Sequence, residues 1–134
     1  MRWLVKEEPS NYSFEQFLAD GSTVWSGVKN PLAQRNLRTM KNGDRVFYYH
    51  TGNEKAIIGT ARVTKVAYPD PKDKSGKLMV VELAADKKLK RPVTLAEIKA
   101  SGRFADFPLV RLPRLSVMPV TDAQWGAIEE MAGA

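Results

Sequence analysis

The chain has 134 residues, 43% of them hydrophobic and 27% charged, a length and balance that suit one domain with its own core and exclude global disorder. It has no Cys and a single His, which excludes a disulfide scaffold, a thiolate zinc site, an iron–sulfur cluster and a Cys nucleophile. The net charge of +6 biases the protein toward polyanions. With no membrane-length apolar run and no signal-peptide core in Met1–Pro9, a cytoplasmic protein without a membrane partner is expected.

Arg2–Lys6 reads as a first strand, stopped by Pro9. Ser13 and Gln16 have the spacing of a capping box that opens a helix with Phe14, Phe17 and Leu18 on its apolar side, ended by Asp20-Gly21. Thr23–Val28 is a short extended piece that turns at Gly27. Asn30-Pro31 starts a second helix, with Ala33, Leu37 and Met40 on a buried face and Arg35 and Arg38 pointing outward, closed by Asn42-Gly43. Asp44–His50 is apolar on both faces, as a central strand would be, and Ala56–Val66 returns antiparallel to it. Tyr68 to Gly76 reads as an irregular loop and Lys77–Ala84 as another strand. Lys87, Lys88, Lys90 and Arg91 form a solvated run before a helix that Thr94 and Glu97 cap. Pro108–Pro113 is a connection, and Arg114–Val120 is a final strand whose Pro119 places it at an edge or end. Thr121 with Gln124 opens a last helix through Trp125, Ile128 and Met131. The order predicts one α+β domain over residues 1–134: a curved mixed sheet or open β-barrel flanked by helices.

No catalytic motif stands out. A triad would need His50 as base with Ser26 or Ser116 as nucleophile, and neither Ser sits in a nucleophile elbow. One His without Cys makes a metal site improbable, and no phosphate-binding glycine loop occurs. Binding is better supported. Trp3 and Trp125 read as core, whereas Trp25 sits among polar residues at a Ser-Gly turn before a helix N-terminus. An indole there either plugs one end of the sheet or stacks on a flat ring, an interaction worth ~1–3 kcal/mol per base. The backbone of Ser26, Gly27 and Val28 can read the edge of such a ring. Along Tyr48-Tyr49-His50, alternation sends Tyr49 away from its neighbours, and a one-residue slip would exchange it for His50. Charge alone marks Lys29, Arg35 and Arg38 as candidate phosphate contacts.

The blocks Val5-Lys6-Glu7-Glu8-Pro9, Tyr12-Ser13-Phe14, Trp25-Ser26-Gly27-Val28-Lys29-Asn30, Phe47–Thr51, Ala67-Tyr68-Pro69-Asp70 and Arg114–Val120 together resemble the EVE domain family over nearly the whole chain. The resemblance implies a PUA-like fold, similar to YTH domains that read N6-methyladenine, and a role in reading modified bases in DNA or RNA. By the same resemblance, Trp25 would stack on or cage the base, and Ser26 and Gly27 would contact its edge. Asn30 would bond the base or fix the turn. Lys6 and Glu7 would line the pocket, Tyr49 and His50 close it, and Arg114 and Ser116 lie nearby. The chain departs from the family where Glu7 stands for a common Ser and Ser26 for a common Asp, and around Leu78, where a Trp is often found.

The expectation is a monomeric, non-catalytic module without cofactor or metal that recognises a methylated cytosine or adenine type of base in DNA or RNA. A binder of a free nucleoside or small heterocyclic ligand is the alternative, followed by an enzyme using His50 or Glu7 as a general base.

Overall fold

The computed structural model describes residues 1–133; Ala134, the last residue of the expected domain, lies outside the described residues. The strands are β1 (Arg2–Glu7), β2 (Ser22–Trp25), β3 (Arg45–His50), β4 (Ala56–Pro69), β5 (Met79–Thr94) and β6 (Val117–Val120). The helices are α1 (Phe14–Asp20), α2 (Pro31–Thr39), α3 (Leu95–Ser101), α4 (Pro108–Arg111) and α5 (Asp122–Met131). All strands join one six-stranded sheet in the order β2-β5-β4-β3-β1-β6. Only β1 and β3 pair in parallel; every other neighbouring pair is antiparallel. The sheet is therefore mixed, and β2 and β6 are its edges.

Curvature comes from the long hairpin of β4 and β5. Its pairing shifts register between Ile57 and Gly59, Thr60 and Ala61, Val63 and Lys65, and Lys65 and Tyr68, and each irregularity bends and twists the strands locally. On the side of the sheet that α1 covers, the Phe14 ring lies edge-on to Tyr48 with centroids 5.3 Å apart. That ring also presses on Gly59, where a Cβ would come within 2.3 Å of Phe14 Cζ. Phe47, one residue before Tyr48, faces the other way and stacks on Trp125 of α5 at 3.6 Å. Tyr48 and Phe47 thus carry the two halves of the core on one strand, as a strand buried on both faces requires.

Local signals are realised at most helix starts. Thr94 with Glu97 and Thr121 with Gln124 form reciprocal capping boxes. Ser13 caps α1, but the Gln16 amide turns away to donate to Asp20. Several sequence expectations need correction. Lys87–Arg91 lies inside β5, where Lys88 pairs with Gly59 and Lys87 with Thr60; the lysines are exposed, yet the backbone is strand. β4 runs on to Pro69 and β5 begins only at Met79, so the loop between them is shifted two residues along the chain, to residues 70–78. The connection at Pro108–Pro113 contains the single turn α4, with Pro at its start. The last strand begins at Val117, and Arg114–Ser116 precede it.

Candidate functional site

The site is built where β2 stops. Its ladder with β5 ends at the pair Trp25 and Val81, and Gly27 turns the chain with φ +79°, a conformation that a side chain would strain. The loop is then pinned from behind by Gln34 on α2. Its Nε2 donates to the Val28 carbonyl at 2.7 Å and to the Met79 carbonyl at 3.1 Å, while its Oε1 accepts from the Met79 N–H at 2.9 Å. Asn30 caps α2, its Oδ1 accepting from the Ala33 N–H at 3.0 Å. Val28 is buried and anchors the loop rather than lining an opening.

A cavity of about 290 Å³ opens in front of this loop, lined by Glu7, Asn11, Tyr12, Thr23, Val24, Trp25, Ser26 and Gly27. Trp25 is only 5% exposed and stands edge-on to Tyr48 at 5.5 Å. It is a fixed wall of the cavity, tied into the core, so plugging the sheet and bordering the opening are one placement. The Tyr48 hydroxyl donates to the Tyr12 carbonyl. Burial pushes the Tyr48 phenol well above its ordinary range, with the Glu7 charge adding to the effect, so Tyr48 keeps the proton it donates. Glu7 Oε1 accepts from the Glu8 N–H at 2.9 Å and from Asn11 Nδ2 at 3.1 Å.

The other expected site residues are not in this cavity. His50 lies on the Tyr48 side of β3, but its Nε2 accepts from the Phe14 N–H at 3.0 Å and its Nδ1 lies 3.0 Å from Glu54 Oε1. Because the Phe14 N–H can only donate, the ring's hydrogen is on Nδ1 and points to Glu54. His50 holds the start of α1 and borders a separate depression with Ser13, Glu15, Glu54 and Lys88. Lys6 and Tyr49, paired across β1 and β3, face away from Trp25. Lys6 Nζ donates to the Pro113 carbonyl at 3.0 Å and lies 5.6 Å from the Tyr49 ring centre; burial lowers its pKa. Arg114 and Asn30 line a neighbouring groove of about 320 Å³ with Leu32, Arg111, Leu112, Pro113 and Leu115. The Ser116 carbonyl accepts from the Lys6 N–H at 2.9 Å. The structure thus gathers Glu7, Trp25, Ser26 and Gly27 in one cavity. Lys6, Tyr49, Asn30, Arg114 and Ser116 are set around or behind the groove, and His50 stands apart.

Asn11, Tyr12 and Thr23 are cavity residues that the sequence reading did not single out, and Gln34 is its hidden support. Gln34 carries a legible signal: it is a polar side chain three residues before Leu37, on the stripe that α2 buries.

The 29–41 segment and the 111–114 segment carry free cations. Lys29, Arg35, Arg38, Lys41, Arg111 and Arg114 are exposed, and none is ion-paired with a carboxylate among the described residues. Some cations elsewhere are engaged, Arg2 with Asp122, Arg45 with Asp86, Lys88 with Glu15, Arg91 with Glu97 and Arg103 with Glu130, while others, such as Lys72, Lys74 and Lys77 in the loop before β5, are exposed as well. Among the described residues no group of His, Cys, Asp and Glu could hold a metal ion, and no helix is long and apolar enough to cross a membrane.

A curved, unclosed mixed sheet with helices around it defines a domain of the PUA-like class; the likeness to an ASCH protein from Zymomonas mobilis, with TM-score 0.59 at 14% identity over 97% of this chain and 94% of that one, shows this fold alone. Within that class the chain belongs to the EVE domain family, whose model matches residues 1–131. It is 48% identical to a Rhodopseudomonas palustris protein solved by NMR, with TM-score 0.94 over 98% of this chain and 92% of that one. Human thymocyte nuclear protein 1 is 29% identical over 157 residues, covering 92% of this chain and 70% of the relative. A crystal structure of human THYN1 in complex with 5-methylcytosine-containing DNA superposes with TM-score 0.91 at 28% identity, over 99% of this chain and 98% of that one.

Proposed function

We propose that this protein is a non-catalytic module that takes up a modified nucleobase of the methylated-cytosine type, carried on DNA, into the cavity beside Trp25. The observation that carries the reading is the likeness, over nearly the whole chain, to a human protein solved with 5-methylcytosine-containing DNA. The cavity of about 290 Å³ has room for one base and an aromatic wall, and unpaired cations on α2 and around the adjoining groove suit a phosphate backbone. A base in a duplex reaches such a cavity only by leaving the stack. Base readout by one such domain needs no second copy of the chain, and a monomer suffices for this reading.

The test is a titration with labelled oligonucleotides that carry unmodified, 5-methylated or 5-hydroxymethylated cytosine, or plain or N6-methylated adenine, each in DNA and RNA. Saturable binding preferring methylated cytosine in DNA is expected, weakened about tenfold or more in Trp25→Phe. The Phe variant is preferable to Ala because Trp25 is a core residue, and truncating a buried Trp costs about 3–5 kcal/mol of stability. Unchanged affinity in a folded Trp25→Phe protein would remove the cavity from the reading. Binding of the free nucleoside as tightly as the oligonucleotide, with no salt dependence, would move it to a small heterocyclic ligand.

A further inference from the structure

Glu7 is the only carboxylate among the described residues that line the Trp25 cavity. One of its oxygens is committed: Oε1 accepts from the Glu8 N–H at 2.9 Å and from Asn11 Nδ2 at 3.1 Å. Those bonds fix the carboxylate. Oε2 accepts no hydrogen bond, and neither oxygen is in an ion pair, among the described residues. No Lys or Arg lines the cavity; Lys6, next in the chain, points to the other face and donates to Pro113. The lining therefore presents an unneutralised acceptor with no donating capacity of its own.

Nucleobases divide sharply before such a group. Cytosine and adenine carry an exocyclic amino group, which donates. Thymine and uracil carry a carbonyl oxygen at the position of the cytosine amino group, and an oxygen facing a carboxylate is repelled. Resting on the reading of this cavity as a base site, we propose that Glu7 is its specificity-determining residue: Oε2 accepts from the exocyclic amino group and selects amino-bearing bases over their carbonyl counterparts. The pair 5-methylcytosine and thymine isolates the effect, because both carry the 5-methyl group and differ only at the amino or carbonyl position and the adjoining ring nitrogen.

The experiment uses the full chain and DNA duplexes with 5-methylcytosine, thymine or adenine opposite an abasic site, so that loss of a base pair does not enter the comparison. The wild-type protein is expected to prefer 5-methylcytosine over thymine by about tenfold or more. Glu7→Gln keeps an oxygen for Glu8 and Asn11 but offers an amide N–H in place of Oε2. The preference should then collapse toward unity, with thymine binding gained. Asn11→Ala, which frees the carboxylate to swing, should lower the ratio by a smaller factor. A merely structural role for Glu7 would weaken both ligands together and leave the ratio intact, and that outcome overturns the proposal, as does equal binding of the two bases by the wild type. If the wild type binds both bases equally and Trp25→Phe weakens both, the cavity is a base site and only the role of Glu7 is lost. If the wild type binds none of the three, both readings fall. Adenine bound as well as 5-methylcytosine, with both preferences lost in Glu7→Gln, supports amino-group selection and adds that ring size is not read.

Discussion

Single side chains in this protein do more than one task, and Asp44 shows it most plainly. Buried just before β3, it accepts from Trp3 Nε1, from the Lys41 N–H and from the terminal ammonium of Met1. Burial pushes its carboxyl upward, but these donors outweigh burial and hold it below its ordinary value. A carboxylate whose pKa is lower in the folded than in the unfolded chain contributes stability that is fully present above the unfolded value, about 3.9, and lost as pH falls through the folded one. Asp44→Asn is therefore expected to cost about 1–3 kcal/mol at neutral pH and to lose less further stability than the wild type below about pH 4. Urea denaturation at a series of pH values measures both; parallel curves would show that Asp44 is not the group concerned. Asp73, held low by the Leu78 N–H, and Glu97, held low by Arg91, titrate in the same range. Both are present in each protein and cancel in the comparison. The residue scale is also where the sequence was least informative about the site. Trp25, Ser26 and Gly27 are contiguous and flagged by their turn. Asn11, Tyr12 and Thr23 reach the same cavity from two other segments, and no local pattern carries that juxtaposition.

At the scale of elements, the contact between α1 and β4 is the least forgiving. Gly59 has ordinary backbone angles, so only space forbids a side chain there, and the space is taken by the Phe14 ring. Gly59→Ala should destabilise by about 1–3 kcal/mol through overpacking. Phe14→Leu in the same chain should recover part of that loss, so the two changes should not add. The midpoint of thermal or urea unfolding for the four proteins checks this; simple additivity would mean that the ring can move aside. Helix starts at Ser13, Asn30, Thr94 and Thr121 were legible because a cap is a contract among residues within four positions of one another. The length of β5 was not, because Lys87–Arg91 owes its extended form to pairing with residues near Gly59, some thirty positions upstream, and its own composition reads as polar loop.

For the whole molecule, the net charge of +6 includes exposed cations on α2 and the 111–114 segment that no carboxylate among the described residues pairs with. Binding to DNA is accordingly expected to weaken as salt rises, and replacing Arg35 and Arg38 by Gln should lower the slope of log affinity against log salt by about 1–2 without changing base preference. An unchanged slope would place the backbone on another face. The broad architecture, α+β with a curved open sheet, was legible from turn signals and strand periodicity; the parallel pairing of β1 with β3 was not, since nothing local distinguishes it from a hairpin neighbour. That pairing has a consequence for how the chain comes to be folded. β1 lies between β3 and β6, so the first strand made waits for the last one before both its edges are satisfied. Until Val117–Val120 arrive, an apolar strand edge formed by Arg2–Glu7 stands open beside an otherwise assembled sheet. Long-range closure of this kind is slow, and an open edge recruits other chains. The segment most exposed to misassembly during synthesis is thus the very strand that delivers Glu7 to the cavity.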